Sequence, residues 1–265
     1  MRHAIGAAAI TTLLLALSMA GARSAAAADA PGASPVLIEL FTAEGCSSCP
    51  PADNFLRQLD ASQPIAGAHL IVLGEHVDYW DHDGWPDPFS SAALTERQRD
   101  YERALKVREL FTPQFIVDGA AEMRLSEQQK IPQILKAAAA ARKIPVSIES
   151  LGVAPGSPSY LTGKIVVDGN AERQRSDVYV ALAVDHFESK VLRGENRGQT
   201  LSHVAVLLSL VKLGALAPGQ QWSQEFRVPL KAGVEPGNVR VIGFVQESDY
   251  GKVVGAALQR TASAG

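Results

Sequence analysis

The sequence predicts an α/β domain over residues 35–143 followed by an all-β sandwich domain over residues 144–262. Three observations predict it. Up to Arg142, short apolar runs alternate with segments whose apolar residues recur at helical spacing. Lys143-Ile144-Pro145 then reads as a linker. Beyond it, short alternating or β-branched runs recur between Pro, Gly, Asn and Asp. A chain of 265 residues allows one large domain or two ordinary ones, and two fit this change of texture. With 46% hydrophobic and 20% charged residues, a packed core needs no staples. The formal net charge of -3 and pI near 6.1 give no electrostatic footprint for nucleic acid or an anionic membrane surface.

The first element is a leader. Arg2, an apolar run from Ala4 to about Ala20, and the small-residue stretch GARSAAAADA read as a signal peptide over 1–28, with a cleavage site at Ala26-Ala27-Ala28. An uncleaved anchor helix is the alternative, although the apolar run is near the lower limit for spanning a bilayer. Cleavage gives a periplasmic or secreted protein without stable membrane insertion. Val36 to Phe41 is then a nearly continuous apolar run, as in a buried parallel strand. A helix follows from Pro50, with Phe55, Leu56 and Leu59 forming its stripe and Pro50-Pro51 tolerated only in the first turn. His69 to Glu75 is the next strand and completes a right-handed βαβ unit.

Ser90 to Arg108 is helical by the spacing of Leu94, Tyr101 and Leu105. Gln114 to Val117 reads as a strand, Asp118-Gly119 as a hairpin turn, and Ala121 to Leu125 as the returning strand. Ser126 with Gln129 forms a capping-box pattern that opens a helix to about Arg142. Seven strand-like runs follow: VSIESLGV, YLTGKIVV, VYVALAV, HVAVLLSLV, WSQEFRVPL, VRVIGFVQ and VVGAALQ. They suggest an antiparallel, immunoglobulin-like sandwich. The stretch HVAVLLSLVKLG also fits a helical face, so both readings stand there.

The chain has two cysteines, Cys46 and Cys49, and hence one internal pair. Export lets a disulfide persist, yet a bridge over a two-residue gap removes little loop entropy, so chemistry is the better reason for it. The thiolate is the reacting species in exchange, and a strand-to-helix junction supplies unpaired N–H groups and a helix dipole to favour it. Cys46 is expected on the exposed side and Cys49 one turn deeper, able to resolve a mixed disulfide on Cys46. If the helix begins only at Pro50, however, Cys49 is the cap. The loop from His76 to Trp85 leaves the end of the second strand, where α/β sheets place ligand sites. His76 and Asp78 are candidates for proton transfer, and Trp80 or Trp85 for an apolar wall; equally, the aromatics can cover a domain interface.

Cys46, Cys49 and His76 can also bind Cu(I) or a related soft ion, which gives a periplasmic copper-binding or delivery protein as the alternative. Asp81 and Asp83-Gly84 lack the rest of a calcium loop. Gly194-Glu195-Asn196-Arg197-Gly198, followed by His203, either docks on the first domain or pairs locally in a sandwich loop. No phosphate-binding loop or G-x-S-x-G motif appears, and no cofactor is expected.

The segment FTAEGCSSCPPADNFLRQL resembles the active-site segment of thioredoxin-fold proteins. Together with the blocks HVDYWDHDGWPD, FTPQFIVDG and GENRGQTLSHVAV it closely resembles the exported DUF1223 proteins, over about residues 35–260. The resemblance implies a thioredoxin-like N-terminal domain before the sandwich. It also implies that Cys46 caps the helix and attacks while Cys49 resolves. It places Thr112-Pro113 at the position of a cis-proline opposite the cysteines, where the Thr112 backbone pairs with an extended substrate. Gly45 stands where thioredoxins carry tryptophan and Ser47-Ser48 replaces their Gly-Pro, so reductant, oxidant and isomerase all stay open. The expected function is an exported thiol-disulfide oxidoreductase or redox partner acting on protein or small-molecule thiols and disulfides. A non-catalytic interaction protein that binds through its sandwich is a third reading.

Overall fold

In the computed structural model, which describes Met1 and residues 32–107, 109–156, 158–169 and 174–261, the first strand is buried on both faces. Residues 2–28 of the expected leader lie outside the described residues. Strand β1 (Ser34–Thr42) pairs in parallel with β2 (Ala68–His76), with Ile38 opposite Val72, and helix α1 (Pro50–Ser62) makes the crossover. Both strands are buried because α1 covers one face and later elements the other, which explains their continuous apolar sequence. Helix α2 (Ala92–Leu105) is capped by Ser91, whose side chain accepts from the Leu94 N–H. Strands β3 (Gln114–Val117) and β4 (Ala121–Met123) form the expected hairpin on the far side of β1. Its turn needs Asp118 and Gly119 at φ of 48° and 60°, conformations that Asx and Gly residues tolerate best.

Helix α3 (Ile131–Ala140) starts later than the sequence suggests. A short 3-10 turn at Leu125–Glu127 takes the place of the Ser126/Gln129 capping box. Pro132 has no N–H to donate and belongs in a first helical turn, so it fixes the helix start and overrides the side-chain cap.

Seven more strands follow: β5 (Val146–Ala154), β6 (Tyr160–Val167), β7 (Ser176–Lys190), β8 (Thr200–Leu216), β9 (Trp222–Pro229), β10 (Val239–Glu247) and β11 (Val253–Arg260). The stretch with two readings, around His203 to Leu213, is therefore strand. Strands β5, β6 and β9 form a three-stranded antiparallel sheet. The remaining eight lie in one mixed sheet in the order β11-β10-β7-β8-β2-β1-β3-β4.

This arrangement corrects the expected fold class. The chain does not build a thioredoxin-like α/β domain beside a separate all-β immunoglobulin-like sandwich; strands from both halves share the eight-stranded sheet, and the described residues as a whole are mostly β with three α-helices. Hydrophobic periodicity reports which face of a strand is buried but not which edge it pairs with, so it missed the union of β2 with β8. The residues read as a linker are also bound in: Lys143 holds the Asp118 carboxylate at 2.6 Å, and buried Ile144 donates its N–H to the Val254 carbonyl at 2.8 Å. Strand β11 lies against β1, and Val253 N–H donates to the Asp118 carbonyl at 2.8 Å.

Arg240, fully buried on β10, ties α1 to the later strands. Its guanidinium makes a fork with Asp60 at 2.9 and 3.0 Å and also bonds Asp185 of β7. Arg240→Ala strands two half-buried carboxylates, with Arg260 only a partial substitute. It is expected to lower the unfolding free energy by about 3 kcal/mol, seen as a lower urea midpoint at unchanged slope.

Candidate functional site

Strand β1 delivers the chain to a turn at Ala43–Cys49. Cys46 N–H donates to the Ala43 carbonyl and Cys49 N–H to the Cys46 carbonyl, both at 3.2 Å. The two cysteines form a disulfide with Cα atoms 5.4 Å apart. Helix α1 begins at Pro50, and the Cys49 carbonyl accepts from Ala52 and Asp53, so Cys49 is the helix cap. The cap implied by the resemblance, Cys46, lies outside the helix because Pro50 and Pro51 lack N–H groups and must occupy the first turn.

Burial differs from expectation as well. Cys46 and Cys49 are both 0% exposed, whereas Ser47 and Ser48 between them face solvent. The sulfur-bearing residues pack with Phe41, Val77, Tyr101 and Ile116, and partly buried Trp80 lies against this group. Thr112-Pro113 is a cis peptide. The Thr112 carbonyl accepts from the Ser48 hydroxyl at 3.5 Å, and that hydroxyl lies 3.4 Å from Cys46 Sγ. Trp80 Nε1 donates to Thr112 Oγ1 at 2.8 Å. Gly45 lies close beside it: a Cβ there would sit 3.1 Å from the Trp80 carbonyl and would push the Trp80 backbone back by a few tenths of an ångström.

The opposite side of the turn is held by the loop between β7 and β8, the docked one of its two sequence readings. Buried Asn196 donates from Nδ2 to the carbonyls of Glu44 and Cys46, at 2.8 and 2.9 Å, and Glu195 accepts from Ser47 N–H at 3.1 Å. Sequence reasoning did not single out these two roles. The Gly-rich, polar character of the segment was the signal that something docks there.

Beneath the turn lies a buried polar cluster. His76 Nδ1 lies 2.6 Å from Asp87 Oδ2, and its ring packs edge-on against Phe89 and His203. Asp87 also accepts from Glu44 N–H at 2.8 Å. Glu44 Oε2 takes hydrogen bonds from Trp85 Nε1 at 2.6 Å and Ser189 at 3.0 Å, so Trp85 serves this cluster. His203, 2% exposed, stands between Glu44 Oε1 at 3.7 Å and Asp53 Oδ1 at 3.5 Å. Asp78 is held by the Thr95 hydroxyl at 2.6 Å. Glu44, Asp53, Asp87 and His203 were not foreseen as a group, because they meet only when β8 lies beside β2. Among the described residues, no group of three or more His, Cys, Asp or Glu side chains is arranged to hold a metal ion.

Burial disfavours the charged form of His76, but the adjacent Asp87 carboxylate outweighs it and raises the pKa to about 9. Burial likewise works against the Asp87 carboxylate, yet His76 and the N–H groups of Glu44 and Phe89 bring it down to about 2. Burial raises Glu44, with Asp87 adding to the effect.

The family model described as "Protein of unknown function (DUF1223)" matches residues 37–246, a span that includes the cysteine turn, the His76 loop and the Asn196 loop. The chain belongs to the DUF1223 family. This DUF1223 protein is similar to the crystal structure of protein AGR_C_4864 from Agrobacterium tumefaciens, at 25% identity and a TM-score of 0.67, over 89% of this chain and 98% of that one. It shares its fold with HBP35 of Porphyromonas gingivalis, at 14% identity and a TM-score of 0.62, over 86% of this chain and 75% of that one. No curated protein matches the chain. No helix among the described residues is long and apolar enough to cross a membrane.

The His76–Asp87 pair gives the DUF1223 chain a pH-dependent stability. The folded pKa of His76 lies above its ordinary 6.5, so its contribution is complete below 6.5 and is lost as pH rises through about 9. Asp87 has the opposite sign: its contribution is complete above 3.8 and is lost as pH falls through about 2. Urea unfolding of wild type and His76→Gln should therefore differ by about 3 kcal/mol near pH 6, and the gap should close at alkaline pH. A gap independent of pH would contradict the pairing.

Proposed function

We propose that this DUF1223 protein is an exported thiol-disulfide exchange protein in which Cys46 and Cys49 cycle between disulfide and dithiol. The observation that carries the reading is the Cys46–Cys49 disulfide at a strand-to-helix junction. A bridge over so short a gap contributes little loop entropy to stability, and a core this size does not need it. The leader read at 1–28 supports a periplasmic or secreted location, where such a bond persists.

In the oxidised protein a substrate thiolate attacks Cys46 Sγ. The Cys46–Cys49 bond breaks, a substrate–Cys46 bond forms, and the electron pair leaves on Cys49 Sγ, which takes up a proton. A second substrate thiol then displaces Cys46, so that two thiols become one disulfide while the pair becomes a dithiol. Cys49 sits at the helix cap, one turn deeper than the attacked sulfur, which places it to leave and later to re-attack Cys46. In the reverse direction Cys46 attacks a substrate disulfide and Cys49 resolves it. Because Cys46 is buried in the oxidised protein, the exposed Ser47-Ser48 edge must shift to admit a substrate, for which Thr112, Pro113 and Trp80 then form the contact surface.

Reduced Cys49→Ser should accumulate a mixed disulfide on Cys46 with glutathione disulfide, visible by intact mass, while Cys46→Ser should not exchange above background. Exchange by Cys46→Ser at the wild-type rate would reject the assignment. Failure of the folded wild type to be reduced by dithiothreitol would reject the function.

A further inference from the structure

The loop between β7 and β8 brings one carboxylate, Glu195, to the Ser47 N–H between the cysteines, while, among the described residues, exposed Arg193 and Arg197 on the same loop make no hydrogen bond or ion pair with the cysteine turn. Its anchor, Asn196, is 1% exposed and has its polar atoms occupied: Nδ2 donates to the Glu44 and Cys46 carbonyls, and Oδ1 accepts from Gln199 at 3.1 Å. The loop closes on itself through Gly198 N–H to the Val191 carbonyl at 2.8 Å and Val191 N–H to the Gln199 carbonyl at 3.0 Å. Gly194 and Gly198, at φ of 74° and 83°, supply turns that side chains adopt only with strain. Such a frame fixes the residue before the anchor. Glu195 is exposed, and its Oε2 accepts from Ser47 N–H, between the two cysteines. The Ser47 bond holds the Glu195 carboxyl below the usual carboxylate range, so it is charged at neutral pH.

A negative charge held on the cysteine turn disfavours a thiolate within that turn and repels anionic partners. We propose that Glu195 is a charge gate on the cysteine pair, a positioning residue that restrains Cys46 ionisation and directs exchange toward cationic thiols and disulfides. The inference rests on the exchange function proposed above and names its substrate class. A cationic group on the partner pairs with Glu195 and cancels its field at the moment Cys46 must carry charge. The sulfur chemistry is unchanged: Cys46 thiolate bonds one sulfur of the partner disulfide, and the other leaves as a thiolate that is then protonated.

The test uses the reduced full chain and two small disulfides of opposite charge, cystamine and dithiodipropionate, at low and high salt. Wild type should react faster with cystamine; Glu195→Gln should cut that preference by roughly tenfold and Glu195→Lys should reverse it, with high salt compressing the differences. Glu225→Gln, which removes an exposed carboxylate on the other sheet, should behave as wild type. In a Cys49→Ser background, alkylation by neutral iodoacetamide should become roughly three- to tenfold faster at neutral pH on Glu195→Gln, with its pH midpoint moved down. A cystamine preference that survives both Glu195 substitutions overturns the gate while leaving exchange intact. If neither disulfide reacts yet alkylation still responds to Glu195, exchange fails and the effect on Cys46 stands.

Discussion

Where β2 meets β8 the two backbones pair in parallel at Gly74 and Val206, and a Cβ on Gly74 would stand 3.3 Å from the Val204 carbonyl. The site depends on this close approach. From the seam, β8 runs back through His203 toward the cysteine turn, with β7 antiparallel beside it, so the loop joining them arrives at Cys46. The 15- and 17-residue lengths of β7 and β8 follow from that reach. A shorter hairpin would complete the sheet without touching the disulfide. Fusion of the sheets is thus the means by which residues about 150 positions apart in sequence share one site.

The same seam seals charge inside the protein. Side chains alternate along β1 and β2, so Glu39 and Glu75 face α2 whereas Thr42 and His76 face α1. On the α2 side Arg97, 4% exposed, bonds Glu39 and the Tyr101 hydroxyl, and Tyr101 donates to Glu39 at 2.6 Å. Burial pushes Glu75 well above the usual carboxylate range, against the pull of Arg97. On the α1 side His76 faces Asp87. Each side pairs its charges locally, as it must, because an uncompensated charge at such depth costs several kcal/mol. The two clusters flank β1 and β2 and so hold the end of β1, which leads into the cysteine turn, from both faces.

Much of the local structure was legible. The apolar runs of β1 and β2, the stripe of α1 and the Asp118-Gly119 hairpin are local patterns, and each formed where its residues indicated. Two kinds of feature were not. Competing local signals misled at α3, where Pro132 overrode a side-chain cap; at α1 the prolines marked the helix start correctly, and it was the resemblance that placed the cap at Cys46. Long-range pairing was invisible: nothing in the spacing of Gly74 or Val206 announces that they touch. The candidate site shows the same division. Cys46 and Cys49 stood out because their chemistry is local to four residues, whereas Asp53, Asp87 and His203 become a group only through the β2–β8 seam.

The prolines bear directly on the sulfur chemistry. A helix ordinarily offers unpaired N–H groups at its first turn, and a thiolate at the cap draws on them. Here the first two helical residues are Pro50 and Pro51, which have none, and the N–H groups of Ala52 and Asp53 are turned to the Cys49 carbonyl. Within the turn, Cys49 N–H is spent on the Cys46 carbonyl and Ser47 N–H on Glu195. The Ser48 hydroxyl, 3.4 Å from Cys46 Sγ, is then the nearby side-chain donor, and it is shared with the Thr112 carbonyl. A site so arranged gives a thiolate on Cys46 little fixed support, which makes the charge a partner brings a larger part of the balance than it would be above a helix with open N–H groups.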